Sequence, residues 1–162
     1  MKNIVLIGMM GCGKTTISQL LGEKLKREVI DIDQYLIEKH GCSISDMMSI
    51  SEDHFRDLEQ EACLELSKKE GVIISTGGGV IKRQENIDAL KKNGIIIYLD
   101  RPIQNILTDI DTQSRPLLKD GPEKLYQLDK ERRQLYMNAC DIHIINDQSL
   151  EMIVNLIISK VG

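Results

Sequence analysis

The chain reads IVLIGMMGCGKT over residues 4–15, and this stretch decides how the rest of it is interpreted. Its first four residues form an unbroken apolar run, which predicts a buried strand. The next eight, Gly8 to Thr15, match the pattern G-x-x-x-x-G-K-[ST], which follows a strand and opens a helix. Apolar residues then recur at helical spacing from Ile17 to Leu25. The pattern and its setting together predict a phosphate-binding loop.

The backbone of this loop and two of its side chains determine its chemistry. Glycines let successive N–H groups point inward around phosphate oxygens, and the helix N-terminus adds the positive end of its dipole. We expect Lys14 to reach the β- and γ-phosphates of ATP and the Thr15 hydroxyl to bind Mg²⁺. The predicted nucleotide-binding residues in the loop are Gly11, Cys12, Gly13, Lys14, Thr15 and Thr16.

Composition narrows the class of protein. The 162 residues are 41% apolar and 28% charged, which is ordinary for one globular domain. With one Phe, no Trp and a net charge of −4, the chain lacks the aromatic and basic surfaces of a nucleic-acid binder. Its four cysteines form no C-x-x-C pair, so neither a zinc site nor a disulfide framework is indicated. We expect a soluble, cytoplasmic monomer with no membrane contact.

Short β-branched runs alternate with segments of helical period along the chain. Nearly unbroken apolar strands joined by helices predict a parallel sheet covered on both faces. The predicted strands span residues 4–7, 29–31, 72–75, 95–99 and 142–145. The sequence therefore predicts one five-stranded α/β domain over residues 1–162.

Residues 109–122 differ from the rest of the chain. They are polar and mixed in charge, and Pro116, Gly121 and Pro122 interrupt any regular structure. Such a segment predicts a surface loop. Because it carries Arg115, it can also serve as a mobile lid that closes over phosphates and excludes water.

Further motifs separate this chain from other proteins with such a loop. They are Asp31-Ile32-Asp33, Phe55-Arg56-x-x-Glu59, Ser75-Thr76-Gly77-Gly78-Gly79, Arg115-Pro116-Leu117-Leu118, Arg132-x-x-x-Tyr136 and Asn146-Asp147-Gln148-Ser149. Together with the phosphate-binding loop they resemble the shikimate kinases over essentially the whole chain. The resemblance implies a P-loop NTPase fold of the nucleoside-monophosphate-kinase type. It also implies phosphorylation of shikimate at its 3-hydroxyl, with ATP and Mg²⁺.

The two aspartates can be interpreted with and without the family. From the residues alone, Asp31 and Asp33 are expected to alternate at the end of a strand and to project to opposite faces of the ligand-binding edge. A pair of turn-forming aspartates is the alternative. The resemblance implies that Asp31 helps Thr15 to hold magnesium and that Asp33 bonds the substrate hydroxyls. The catalytic residues it implies are Lys14, Asp33 and Arg115.

The resemblance also implies a binding site for the substrate carboxylate. Its members are Arg56, Arg132 and the backbone N–H of Gly78, since guanidinium forks suit planar carboxylates. Arg56 has another possible partner in Glu59, three residues further along a predicted helix. Arg133 is the alternative to Arg132, because one step along a helix turns the side chain by about 100°.

Three positions depart from the family pattern. Met48 stands where the family commonly has an aromatic residue in the substrate pocket, so we expect softer packing against the substrate ring. Ser51 replaces a glycine before Glu52 in a segment that is one residue short, which predicts a reshaped local loop. Thr108 stands where the family often places an arginine against adenine, so nucleobase selectivity is expected to be weak or to depend on other residues.

Two classes of alternative function remain at this point. One is another small-molecule kinase, acting on gluconate or on a nucleoside monophosphate. The other is a non-catalytic module that binds ATP. Lys14, Thr15, Asp33 and Arg115 are all present, which argues against the module.

Overall fold

The computed structural model describes residues 1–109 and 122–161. Its strands are β1 (Asn3–Ile7), β2 (Val29–Asp31), β3 (Ile73–Ser75), β4 (Gly94–Asp100) and β5 (Ile142–Ile145). Its helices are α1 (Lys14–Leu25), α2 (Ile32–His40), α3 (Ile44–Ile50), α4 (Glu52–Leu66), α5 (Gln84–Lys91), α6 (Ile103–Asp109), α7 (Pro122–Ala139) and α8 (Leu150–Val161). All five predicted strands are present, with ends within one residue of those predicted. The predicted lid, including Arg115, lies outside the described residues except for its two end residues.

The strands form one parallel sheet in the order β2-β3-β1-β4-β5, which confirms the predicted architecture. The central strand β1 pairs with β3 on one side and with β4 on the other, so that Ile4 lies beside both Ile73 and Ile95. Because parallel strands all end at the same edge, the segments after β1, β2, β3, β4 and β5 meet there. Open α/β sheets bind ligands at this carboxyl edge.

Two apolar cores hold helices against the two faces of the sheet. Successive strand residues point to opposite faces, so Val5 and Ile7 enter one core while Ile4 and Leu6 enter the other. The first core also contains buried residues of α2, α3, α4, α5 and α7, and the second those of α1 and α8. Helices on both faces are therefore confirmed. In the described part of the chain, no helix is both long and apolar enough to cross a bilayer.

The connection before α4 is a single residue that caps the helix. Ser51 alone separates α3 from α4, and its side chain accepts a hydrogen bond of 2.9 Å from the backbone N–H of His54. A serine cap of this kind stabilises a helix by ~1 kcal/mol. A serine thus fixes the start of the helix that carries Arg56.

Candidate functional site

The phosphate-binding loop has a backbone shape that its glycines make possible. At Gly8, where φ is 147°, a Cβ atom would lie 2.6 Å from the carbonyl oxygen of Leu99 and 2.8 Å from Sγ of Cys12. Gly11 and Gly13 also have positive φ, at 74° and 100°. Gly13 is the N-cap of α1, so the loop leads directly into the positive end of that helix.

Lys14 lies folded against the loop that precedes it. Its ammonium group donates hydrogen bonds to the carbonyl oxygens of Gly8, at 2.5 Å, and Met9, at 3.0 Å. Only 8% of the residue is exposed. The positive charge is therefore held next to the loop that is shaped to receive phosphate.

A cavity of about 370 Å³ opens beside this loop, and we call it the phosphate-loop cavity. Its size falls in the usual range for small-molecule sites. It brings together predicted residues from three separate motifs. Among its lining residues are Gly11, Gly13, Lys14, Thr15, Thr16, Asp31, Asp33, Gly77, Gly78 and Arg101.

Two side chains from distant strands hold the loop in place. The Asn146 amide, just after β5, donates a hydrogen bond of 2.7 Å to the carbonyl oxygen of Cys12. Arg101, just after β4, donates one of 2.9 Å to the carbonyl oxygen of Gly11. Sequence reasoning gave no role to either side chain. The only signal was the motif that begins at Asn146, since a contact across 134 residues leaves no local pattern.

The prediction that Asp31 and Asp33 alternate on a strand is wrong. Asp31 ends β2 and caps α2, where its Oδ1 accepts a hydrogen bond of 3.0 Å from the backbone N–H of Gln34. Asp33 lies in the first turn of α2. The chain turns into a helix immediately after Asp31 because that cap satisfies one of the helix's unpaired N–H groups. Both carboxylates nevertheless line the phosphate-loop cavity.

Asp33 has an unusual electrostatic environment. Burial raises the pKa of its carboxyl group and nearby Asp31 raises it further, while Lys14 and Arg56 act in the opposite direction. Its Oδ1 atom is buried without a hydrogen-bond partner among the described residues. A buried acceptor of this kind is costly unless a donor reaches it. It is therefore ready to accept a hydrogen bond from a hydroxyl group in the cavity.

Arg56 is buried on α4 and packs against a glycine. Its Nη1 atom lies 2.9 Å from Oε1 of Glu59, so the ion pair considered from the sequence is present. A Cβ atom on Gly79 would lie 2.4 Å from Nη2 of Arg56, which means that only a glycine allows this approach. Burial is the larger effect on the Glu59 carboxyl group and raises its pKa, although the charge of Arg56 acts to lower it.

Arg132 and Arg133 point in different directions from α7. Arg133 donates two hydrogen bonds, of 2.8 and 3.0 Å, to the carboxylate of Asp100. Arg132 faces the glycine-rich segment, where a Cβ atom on Gly78 would lie 3.4 Å from its Nη1 atom. The Tyr136 hydroxyl donates a hydrogen bond of 2.5 Å to the carbonyl oxygen of Gly78. Burial raises the pKa of Tyr136 to about 12, although the charge of Arg132 beside it acts to lower it.

A second cavity, of about 450 Å³, adjoins the first. It shares Gly13, Thr16 and Arg101 with the phosphate-loop cavity. Its remaining lining residues are Asn105, Asn146, Asp147, Gln148, Ser149 and Leu150. One ligand can therefore extend from one cavity into the other past the N-terminus of α1.

Some predicted contacts are not part of this arrangement. Met48 is 41% exposed and does not line the phosphate-loop cavity, whereas its neighbour Met47 is buried in the core. The expected packing of Met48 against a substrate ring therefore stays a prediction. Arg115 and the side chain of Thr108 lie outside the described residues.

Comparisons with known proteins agree with the fold and identify a family. The family model described as shikimate kinase matches residues 10–162. The chain is 46% identical over 155 residues to a shikimate kinase of Clostridium botulinum (strain Alaska E43 / Type E3), which covers 95% of this chain and 94% of that relative. It is 48% identical over 156 residues to one from Clostridium beijerinckii, with coverages of 96% and 92%.

A solved structure gives the same result at the level of the fold. Shikimate kinase from Acinetobacter baumannii, in complex with shikimate, matches with a TM-score of 0.89 and 34% identity, covering 99% of this chain and 95% of the other. This match confirms the P-loop NTPase fold expected from the motifs. The chain belongs to the shikimate kinase family.

Proposed function

We propose that this protein transfers the γ-phosphoryl group of ATP to the 3-hydroxyl of shikimate. One observation carries the proposal: two buried or partly buried arginines meet at a pair of glycines beside the phosphate-loop cavity. The identities of the relatives and the shikimate complex of the Acinetobacter enzyme support the same substrate.

The arginine pair favours an acceptor that carries a carboxylate. Arg56 contacts Gly79 and Arg132 contacts Gly78, and neighbouring Cα atoms are about 3.8 Å apart. The two guanidinium groups therefore lie beside adjacent residues, and in this proposal they bind one planar anion together. Arg133 is engaged by Asp100 instead, which supports Arg132 as the second carboxylate-binding residue. The N–H of Gly78 completes the proposed site.

Lys14 and the loop amides bind the nucleotide in this proposal. In the structure the Lys14 ammonium group bonds two loop carbonyl oxygens, and it can exchange them for the β- and γ-phosphate oxygens of ATP. Gly11, Cys12, Gly13, Thr15 and Thr16 supply the rest of the loop. The positioned charge stabilises the negative charge of the transferred group.

Thr15 and Asp31 fit the proposed magnesium ion. Both line the phosphate-loop cavity, and both offer the oxygen donors that magnesium prefers alongside phosphates and water. The helix cap uses one lone pair of Asp31, and a carboxylate has about four such acceptor sites. The bound ion would neutralise charge on the phosphates during transfer.

Asp33 is the proposed group that orients the acceptor hydroxyl and accepts its proton. Its Oδ1 atom, which has no hydrogen-bond partner within the described part of the chain, faces Gly77, where a Cβ atom would lie 3.4 Å away. A raised pKa makes this carboxylate a stronger base than an ordinary aspartate. From the sequence, we propose that Arg115 adds positive charge from a lid over residues 109–122. We also propose a single-domain, cytoplasmic monomer.

An ADP-release assay with a panel of acceptors tests the proposal. The purified protein is given ATP and Mg²⁺ with shikimate, gluconate or nucleoside monophosphates. We expect rapid ADP release with shikimate and with no other acceptor of the panel. The Lys14→Ala variant should lose this rapid ADP release. Preference for gluconate or for a nucleotide would identify one of the alternative kinases. ATP binding without turnover on any acceptor would identify a non-catalytic module.

A further inference from the structure

Arg101 stands where the two cavities join. It follows β4 directly, and its guanidinium Nη1 donates a hydrogen bond of 2.9 Å to the carbonyl oxygen of Gly11. It lines both the phosphate-loop cavity and the second cavity, a position it shares only with Gly13 and Thr16 among the residues that line them. Arg101 is the charged residue of these three.

The charge of the phosphate-loop cavity makes this position important. Among the described residues that line it, Lys14 and Arg101 are positive, while Asp31 and Asp33 are negative. The four charges sum to zero, whereas a nucleoside triphosphate carries several negative charges of its own. Magnesium can offset the two carboxylates, so that Lys14 and Arg101 are the described side chains of this cavity that supply fixed positive charge to the phosphates, in addition to the charge proposed for Arg115.

The geometry allows Arg101 to hold the loop and a ligand together. A guanidinium has five N–H donors in one plane, so one side chain can bond a loop carbonyl and a phosphate oxygen at once. The backbone at Arg101 is anchored by the paired strand β4 before it and by α6 soon after it. The side chain is half-buried, which strengthens its interaction with an anion relative to a fully exposed arginine.

We propose that Arg101 is a nucleotide-binding residue, whose guanidinium contacts the phosphates of ATP where the nucleotide passes from the second cavity into the phosphate-loop cavity. This inference rests on the proposed function in that ATP is the phosphoryl donor. It does not depend on which acceptor is phosphorylated.

Nucleotide titrations without acceptor test this role. The affinities of ATP and of adenosine are measured by calorimetry for wild type, Arg101→Gln and Arg101→Lys. We expect Arg101→Gln to weaken ATP binding ~10-fold or more, as for loss of a charge-assisted hydrogen bond, and to change adenosine binding less than about twofold. The ATP affinity of Arg101→Lys should lie between those of wild type and Arg101→Gln, because lysine keeps the positive charge but lacks the planar set of N–H donors.

Arg27→Gln is the matched control. Arg27 is also partly buried and also donates one hydrogen bond to a backbone carbonyl, that of Lys2 at 3.2 Å. It follows the C-terminal end of α1, whereas the phosphate-binding loop precedes the other end. This variant removes one positive charge at a distance, and it should bind ATP like the wild type.

The salt dependence separates a phosphate contact from simple support of the loop. If Arg101 contacts phosphate, the dependence of ATP affinity on salt concentration should be shallower in Arg101→Gln than in wild type. Three results would overturn the inference: unchanged ATP affinity, an equal loss for adenosine and ATP, or a loss with an unchanged salt dependence. If the wild-type protein binds ATP but does not phosphorylate shikimate, the proposed function is refuted while the inference about Arg101 still stands.

Discussion

Replacing Arg132 with alanine should sharply reduce the enzyme's efficiency with shikimate. The substitution removes one of the two guanidinium groups that meet at Gly78 and Gly79. The other, on Arg56, is only 8% exposed, so the acceptor carboxylate would be left poorly paired in a partly desolvated pocket. Losing one partner of such a pair costs ~2 to 5 kcal/mol. At about 1.4 kcal/mol per decade, this is roughly a 30-fold or greater loss in kcat/KM.

Arg133→Ala provides the matched control on the same helix. Arg133 bonds Asp100 rather than the glycine pair, and its side chain is 45% exposed. Its removal should lower the free energy of unfolding by ~1 to 3 kcal/mol, because the buried Asp100 carboxylate loses two hydrogen bonds, and should leave kcat/KM near the wild-type value.

The assay is steady-state ADP release with shikimate varied at saturating ATP, and ATP affinity is measured separately without acceptor. Arg132→Ala should leave that ATP affinity nearly unchanged. The reasoning fails if Arg132→Ala is neutral, or if Arg133→Ala loses as much efficiency as Arg132→Ala.

Three further substitutions have distinct expected outcomes. Lys14→Ala should lower kcat by ~10²-fold or more while circular dichroism shows a folded protein; near-normal turnover would contradict the loop assignment. Asp33→Asn should reduce turnover by ~10²-fold or more and abolish the acidic limb of its pH profile. Since burial raises the pKa of Asp33, wild-type stability decreases as pH rises through that pKa, so Asp33→Asn should have the higher Tm at pH 7; an unchanged or lower Tm would refute this. Gly79→Ala should displace Arg56 and raise KM for shikimate without affecting ATP affinity, and an unchanged KM would argue against the carboxylate site.

The sheet could be predicted from the sequence because its central strands β1, β3 and β4 are almost entirely buried. Such strands appear as short continuous apolar runs, and Ile142–Ile145 is recognisable even though it lies at an edge of the sheet. The phosphate-binding loop was equally clear, since the motif and its strand and helix are contiguous. These features depend on neighbouring residues, which is why local patterns suffice for them.

The rest of the site depends on contacts that the sequence does not display. The helix start at Asp31 competes with strand extension, and the capping bond to Gln34 determines the outcome. The choice between Arg132 and Arg133 depends on how α7 is rotated against the sheet, and no local pattern shows that Arg133 pairs with the distant residue Asp100. The position of Arg101 beside the loop likewise arises only when β4 pairs with β1.

The most direct test of the central claim is the identity of the product. Wild-type protein is incubated with ATP, Mg²⁺ and shikimate, and the mixture is analysed by phosphorus NMR with coupling to the ring protons. The account predicts a new phosphate ester coupled to the proton at carbon 3, formed in equal amount to ADP and absent with Lys14→Ala. Inorganic phosphate as the only product besides ADP, or an ester at another hydroxyl, would contradict it.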